Sequence, residues 1–220
     1  IADEAAATFT RATAERFAAI GAQVLLGPAG RDRLVAAIAA LRAAGARLVA
    51  GGGTGDGPCS HLPTLLEVPA SLLVARPESL VIEAFGNATV LVPCGDEDEL
   101  VRAVACVPGA LAASVYAARD GRDDASFERV AARLVPRAGR IVANRMPTGL
   151  AVTPPMQHGG PWPSAAPPFF SAVGMPWSIL RFARRICFDG WSPERLPECL
   201  RDEPPPGRPW RYVDAAWTRG

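Results

Sequence analysis

Residues 144–174 read NRMPTGLAVTPPMQHGGPWPSAAPPFFSAVG, and this stretch decides how the rest of the chain is read. Proline has no amide hydrogen for a helix or ladder, and clustered glycine favours bends. The stretch is therefore predicted to be neither a helix nor a regular strand. It nevertheless carries Trp162, Phe169, Phe170 and His158, one of 2 histidines in the chain. Surface loops are ordinarily polar, so a long, aromatic, Pro-rich loop between apolar elements is a candidate binding loop, with a packed structural loop as the alternative. Taken alone, His158 is more often a satisfied structural histidine than a catalyst.

The flanks of this loop alternate between strand-like and helix-like patterns. Arg140–Ala143 reads as a strand that delivers the chain into it. Upstream, Asp123–Leu134 fits a capped helix with Phe127, Val130 and Leu134 inward, and Leu111–Ala117 suits a strand. Asp96–Val107 fits a helix capped by Asp96, with Glu97, Asp98 and Glu99 placing negative charge in its first turn. Ala88–Val92, Thr64–Val68 and Leu48–Ala50 read as strands. Arg31–Ala44 fits an amphipathic helix with Leu34, Ile38 and Leu41 on one face and Gly45 as its stop, and Glu4–Ala22 fits an N-terminal helix. Downstream, Trp177–Phe182 suits a short helix, Ile186–Phe188 a strand, Leu196–Leu200 a helical turn and Trp210–Val213 a late strand. The alternation from Arg31 onward predicts a single α/β domain over residues 1–220, a mostly parallel sheet with flanking helices.

Composition narrows the function classes. The 220 residues are 49% hydrophobic and 20% charged, as expected of a soluble globular chain with a substantial core. No apolar run approaches the ~20 residues that span a bilayer. Ile1-Ala2-Asp3-Glu4 lacks the basic start of a signal peptide. The net charge of +1 creates no field to recruit nucleic acid or membrane. All 23 basic residues are arginine, so no lysine is available for Schiff-base or phosphate chemistry. The five cysteines, Cys59, Cys94, Cys106, Cys187 and Cys199, are widely spaced with no Cys-x-x-Cys pair, and read as core thiols in a reducing cytoplasm.

Two other motifs invite chemistry. Gly51–Gly57 follows a strand as a phosphate loop would, but it lacks the Gly-Lys-Ser/Thr ending and the Gly-x-Gly-x-x-Gly spacing, and Pro58 and Pro63 bar a following helix, so a flexible turn is expected. Cys59 and His61 are close but lack further ligands at metal-site spacing, so no metal is expected. There is no Gly-x-Ser-x-Gly elbow and no basic patch with interleaved aromatics. Glu83 lies in an apolar setting beside Phe85 and Gly86. It either needs a partner or a ligand hydroxyl to offset desolvation, or turns its charge to solvent.

A resemblance joins these pieces. Glu83-Ala84-Phe85-Gly86, followed by a strand and an Asp-rich helix, resembles the Glu-x-Phe-Gly-Pro segment of the aldehyde dehydrogenase superfamily. Val142-Ala143-Asn144 and the loop closing with His158-Gly159-Gly160 resemble that superfamily's Val-Asn…Pro-Phe-Gly-Gly segment. Pro147-Thr148-Gly149, His158–Pro163, Arg181-Phe182, Ile186-Cys187-Phe188, Leu196-Pro197-Glu198, Leu200-Arg201-Asp202 and Trp210–Asp214 are similar to the α-ketoglutarate semialdehyde (2,5-dioxovalerate) dehydrogenase branch.

The resemblance implies an NAD(P)-dependent oxidation of an aldehyde, possible substrates including 2,5-dioxopentanoate, to its acid. In the family a cysteine thiolate attacks the carbonyl, hydride passes to the nicotinamide, and a glutamate-activated water releases the acyl group. By carry-over, Glu83 holds the nicotinamide ribose hydroxyls and Phe85 packs by the ring. His158 stands where the family often has a Phe lining the substrate tunnel, with Trp162, Phe169 and Phe170 in the same aromatic loop. Arg145 is the candidate cation for the far carboxylate of a dicarboxylic semialdehyde. The family's Rossmann coenzyme domain and Gly-Gln-x-Cys segment have no match here, so none of the five cysteines is assigned as nucleophile. Asn87 replaces the usual Pro, and Ile82 stands where an acidic residue is common. The expectation is the C-terminal, catalytic-domain portion of such an enzyme, inactive alone, cytoplasmic, and forming homo-oligomers through its C-terminal strand. A non-catalytic remnant serving as an assembly or binding module is the alternative.

Overall fold

The computed structural model describes residues 3–166, 170–175, 177–202 and 210–219. The chain divides into two compact units, Ile1–Ser178 and Ile179–Gly220.

In the first unit, helix α1 (Asp3–Ala19) and strand β1 (Gln23–Val24) precede helix α2 (Pro28–Ala43). Pro28 suits the first turn of α2, because its fixed φ is helical and its missing amide hydrogen would be unpaired there in any case. Leu34, Ile38 and Leu41, spaced at four and three residues, form the buried face. Gly45 ends the run at φ 112, where a Cβ would also strike the Leu72 side chain at 2.7 Å. Strand β2 (Arg47–Ala50), the glycine turn, β3 (Ser60–His61) and β4 (Thr64–Glu67) follow. Two short helices come next, α3 (Ala70–Ala75) and α4 (Pro77–Leu80), then β5 (Ala88–Leu91), α5 (Glu97–Ala105), β6 (Ala113–Val115), α6 (Asp124–Leu134) and β7 (Ile141–Ala143).

The strands form a mixed arrangement of small sheets rather than the mostly parallel sheet expected. The order β2-β4-β5 makes a three-stranded sheet, antiparallel at β2–β4 and parallel at β4–β5. β6–β7 is a parallel pair and β1–β3 an antiparallel one. Connections explain the difference. α3 and α4 lie between β4 and β5, and α6 lies between β6 and β7, which gives each parallel pair its crossover. The segment between β2 and β4 holds only the glycine turn and β3, so the chain turns back antiparallel.

The main core gathers Leu41, Leu66, Val68, Leu73, Leu80, Cys94 and Ala103, drawn from α2, β4, α3, α4 and α5 and the turns between them. Leu65 and Leu66, on opposite faces of β4, are both fully buried, as expected for a central strand covered on both sides. Asp96 caps α5 as expected, its Oδ1 accepting from Glu99 N at 2.6 Å, while Glu99 Oε2 accepts in return from Gly95 N at 2.7 Å. Asp123 does not cap α6. Its carboxylate turns back to accept from Ala118 N at 2.9 and 3.0 Å, which ties the start of α6 to the end of the β6 segment. Arg129 of α6 pairs with Asp98 at 2.5 Å and with Glu97 of α5. The Arg129 guanidinium hydrogen-bonded to Asp98 holds that carboxyl below its ordinary value.

The expected short helix at Trp177–Phe182 is 3-10 at Trp177–Arg181. In the second unit, the expected strand at Ile186–Phe188 has no ladder partner among the described residues, and the expected helical turn at Leu196–Leu200 is 3-10 at Glu198–Leu200. Strand β8 (Trp210–Val213) pairs antiparallel with β9 (Ala216–Arg219) in a hairpin. None of this unit's described residues is buried. The five cysteines are accordingly not all core thiols: Cys94 is buried, Cys59 and Cys106 are half-buried, and Cys187 and Cys199 are exposed. No helix among the described residues is long and apolar enough to cross a membrane.

Candidate functional site

The site begins at the segment leading into β5. Ile82 and Ala84 pack against the main core. Their neighbours Glu83 and Phe85 are exposed, Phe85 at 77%. Gly86 lets the chain pass close over α2, since a Cβ there would meet Leu34 Cδ2 at 2.7 Å. Asn87 then fastens the segment: its side-chain amide donates to the His61 carbonyl at 2.9 Å and its own carbonyl accepts from Thr64 N at 2.9 Å. The Asn in place of the expected Pro thus has a structural task, joining this segment to β3 and β4. Glu83 has no hydrogen-bond or ion-pair partner among the described residues. Its carboxylate is exposed, so it needs no protein partner to offset desolvation and is free to accept from a ligand hydroxyl.

The second wall is the Pro- and Gly-rich loop. It leaves β7 at Asn144, whose φ is 54 and whose Oδ1 accepts from Ala117 N at 2.7 Å. Asparagine tolerates this left-handed backbone better than most residues. Further on the loop pairs with itself. Gln157 bridges Ala172, His158 N donates to Ser171 O at 2.9 Å, and Val173 N donates to Met156 O at 3.1 Å. Glycines then let backbone lie on backbone. A Cβ on Gly139 would overlap the Gly159 carbonyl, one on Gly109 the Pro161 and Trp162 carbonyls, and one on Gly160 the Ala110 carbonyl. Three loops meet there without side chains between them, which fixes the position of His158.

Between these walls lies a cleft of about 990 Å³. Glu83, Phe85, Leu111, Arg140, Leu150 and His158 are among its lining residues, with the backbone turns at Pro108-Gly109 and Pro147. Arg140 comes from the segment entering β7, where its carbonyl accepts from Ala113 N at 2.9 Å. Its guanidinium donates to Gly149 O at 2.7 Å and to Pro147 O, and lies 3.8 Å from Met156 Sδ.

Of the residues singled out in the sequence, Glu83, Phe85 and His158 thus share one cleft. Trp162, 75% exposed, and Phe170, 42% exposed, are not among its lining residues, and neither is the exposed Arg145. Phe169 lies outside the described residues. Arg140 was read only as the start of a strand, and its partners are backbone carbonyls, which leave no trace in a sequence. No cysteine lines the cleft, and no group of three metal-ligating side chains occurs among the described residues. The cleft therefore offers an exposed carboxylate, a guanidinium, an imidazole and an aromatic ring. That set can bind hydroxyls, an anion and a flat heterocycle.

The profile described as "Aldehyde dehydrogenase family" matches residues 4–166. The chain is 34% identical over 165 residues to "Alpha-ketoglutaric semialdehyde dehydrogenase 2" of Azospirillum brasilense, covering 73% of this chain and 30% of that protein. It is 32% identical over 143 residues to "Alpha-ketoglutaric semialdehyde dehydrogenase" of Acinetobacter baylyi, covering 65% and 27%. Among solved structures, betaine aldehyde dehydrogenase of Staphylococcus aureus in complex with NAD+ superposes with a TM-score of 0.59 at 18% identity, over 72% of this chain and 32% of that one. The chain therefore spans about 30% of the length of the curated relatives it matches.

Proposed function

The chain belongs to the aldehyde dehydrogenase family, and from that premise we propose that its cleft is one wall of the active site in an enzyme that oxidises an aldehyde to its acid with NAD or NADP. The carrying observation is convergence. Glu83 and Phe85 come from the turn before β5 and His158 from the loop after β7, yet all three line one cleft.

The residues present suit a nicotinamide riboside. An exposed carboxylate without a protein partner can accept from two neighbouring hydroxyls, and an exposed ring can lie against a flat heterocycle. Glu83 and Phe85 would hold that end of the coenzyme, which when bound supplies the two-electron acceptor. His158, Leu150 and Pro163 form a largely apolar side that narrows the space left for water around an aldehyde. Trp162 and Phe170 belong to the same loop outside the lining, and on this reading they would approach a substrate only in the complete enzyme. The names of the two curated relatives favour a semialdehyde such as 2,5-dioxopentanoate. The thiol nucleophile, the water-activating glutamate and the coenzyme domain belong, on this reading, to the remainder of a longer cytoplasmic protein, of which this chain is the C-terminal portion. Purified alone with aldehyde and NAD(P)+, it is expected to give no NAD(P)H.

A chimaera tests the reading. Residues 83–166 of this chain replace the matching segment of the Azospirillum brasilense enzyme. Aldehyde-dependent NAD+ reduction is expected to survive the exchange, and Glu83→Gln within it to lower kcat/KM by roughly tenfold, the worth of one charge-assisted hydrogen bond. A folded chimaera with no turnover sinks the reading.

A second reading has its own observation. The β8–β9 hairpin carries the exposed aromatics Trp210, Tyr212 and Trp217, which suits an assembly surface, either within the enzyme's oligomer or as the task of a non-catalytic module.

A further inference from the structure

We propose that Arg140 is the cleft's carboxylate anchor, the residue that selects aldehydes carrying a distant carboxylate over neutral ones. The proposal rests on the reading of the cleft as an aldehyde site and names the specificity residue within it.

Arg140 and Glu83 are the charged members of the lining. No carboxylate lies within ion-pair distance of Arg140 among the described residues, whereas Arg31, Arg47, Arg122 and Arg129 each have one. Its protein partners are neutral: the carbonyls of Pro147 and Gly149, with the Met156 sulfur nearby. These orient the guanidinium without neutralising it. A guanidinium has five N–H donors; the two carbonyls and the weak sulfur contact engage three of them, which leaves two for the oxygens of a carboxylate. The group is also held firmly. The Arg140 backbone is bonded to β6, and the loop it grips at residues 147–149 is the one that goes on to carry His158. A half-buried cation held by neutral carbonyls, with no carboxylate within ion-pair distance among the described residues, is arranged for an anionic ligand group. Arg145, by contrast, is exposed and is not part of the lining.

The test uses the full chain and three probes in calorimetric or ligand-observed NMR titrations: 5-oxopentanoate, which carries a carboxylate at the end away from its aldehyde, the methyl ester of that acid, and pentanal. Wild type is expected to prefer 5-oxopentanoate over its methyl ester by roughly tenfold or more, the worth of a hydrogen bond to a charged group. Arg140→Gln is expected to erase that preference while leaving pentanal binding within about twofold, and Arg140→Lys to restore part of it. If Arg140 only braced the loop, Arg140→Gln would weaken all three probes alike and the preference would persist, which overturns the proposal. Equal wild-type affinity for 5-oxopentanoate and its methyl ester also overturns it, and leaves the aldehyde reading standing if pentanal binds. Failure of all three probes to bind overturns both.

Discussion

Burial without a partner sets His61 apart from His158. It is fully buried on β3, and neither ring nitrogen finds a hydrogen-bond partner among the described residues; Asn87 Oδ1 is likewise buried and unpaired. A buried polar group left unpaired costs about 1–3 kcal/mol. His61→Leu, which removes the polar atoms at similar volume, is therefore expected to stabilise the chain by about 1 kcal/mol, read as a higher denaturant midpoint at unchanged slope. A lower midpoint would mean that the imidazole is satisfied after all, for example through water. The thiols divide in the same way. Burial pushes the Cys94 thiol above its ordinary value, and it donates weakly to Val92 O at 3.5 Å. Only the thiolate is nucleophilic, so native-state iodoacetamide labelling followed by peptide mapping should modify Cys187 and Cys199 roughly tenfold or more faster than Cys94. Because its thiol is pushed up, Cys94 should stay slow as the pH is raised from neutrality. Equal rates at all three would contradict the burial.

Among the elements, the long loop owes its shape to backbone contacts that only glycine allows. Gly160→Ala would drive a Cβ into the Ala110 carbonyl, and neither backbone can yield without moving. The substitution is expected to cost about 2 kcal/mol or more and to displace the His158 wall, seen as changed amide shifts at residues 109–111 and 157–164. The β8–β9 hairpin offers the opposite case. Its two-residue turn, Asp214-Ala215, has φ of 49 and 62, positive at both central positions as the hairpin turn of this length requires. Alanine is strained there, so Ala215→Gly should stabilise the hairpin by about 0.5–1 kcal/mol. The same turn shows why β9 was illegible: Asp-Gly announces a hairpin in a sequence, and Asp-Ala does not. Elements with a strong period or a cap, such as α2, α5 and β5, were readable because their own residues specify them. The short α3 and α4, and strands β1 and β3, were not, because a run of two to six residues takes its conformation from what it packs against. Residue type and a family resemblance single out Glu83, Phe85 and His158, which line one cleft. Arg140 was missed because nothing in residue order shows which of 23 arginines faces a cleft.

At the scale of the whole molecule, what most needs a partner is the second unit. Its described residues include no buried member, while Phe182, Trp191, Trp210, Tyr212 and Trp217 are all more than half exposed. Its aromatic contacts include two local pairs, Phe188 with Trp191 and Tyr212 with Trp217, each at a ring separation of 5.2 Å. A lone two-stranded ribbon is at best marginally stable in water, and so large an apolar area seldom stays uncovered. Among the described residues β8 pairs with β9 alone, which leaves its other edge able to add a strand. A second copy of the chain would supply such a strand, and symmetric pairing through β8 would cover the aromatics of both hairpins together. Light scattering at tens of micromolar chain should then report a dimer or a larger symmetric assembly. Arg211→Pro, which removes one β8 amide and obstructs a neighbouring strand, should shift the population towards monomer. Far-UV circular dichroism should change little, because the first unit holds nearly all the helix. Tyr212→Asp should act in the same direction through the aromatic face. A wild-type monomer at that concentration, or assembly unmoved by either substitution, would place the cover for these aromatics elsewhere.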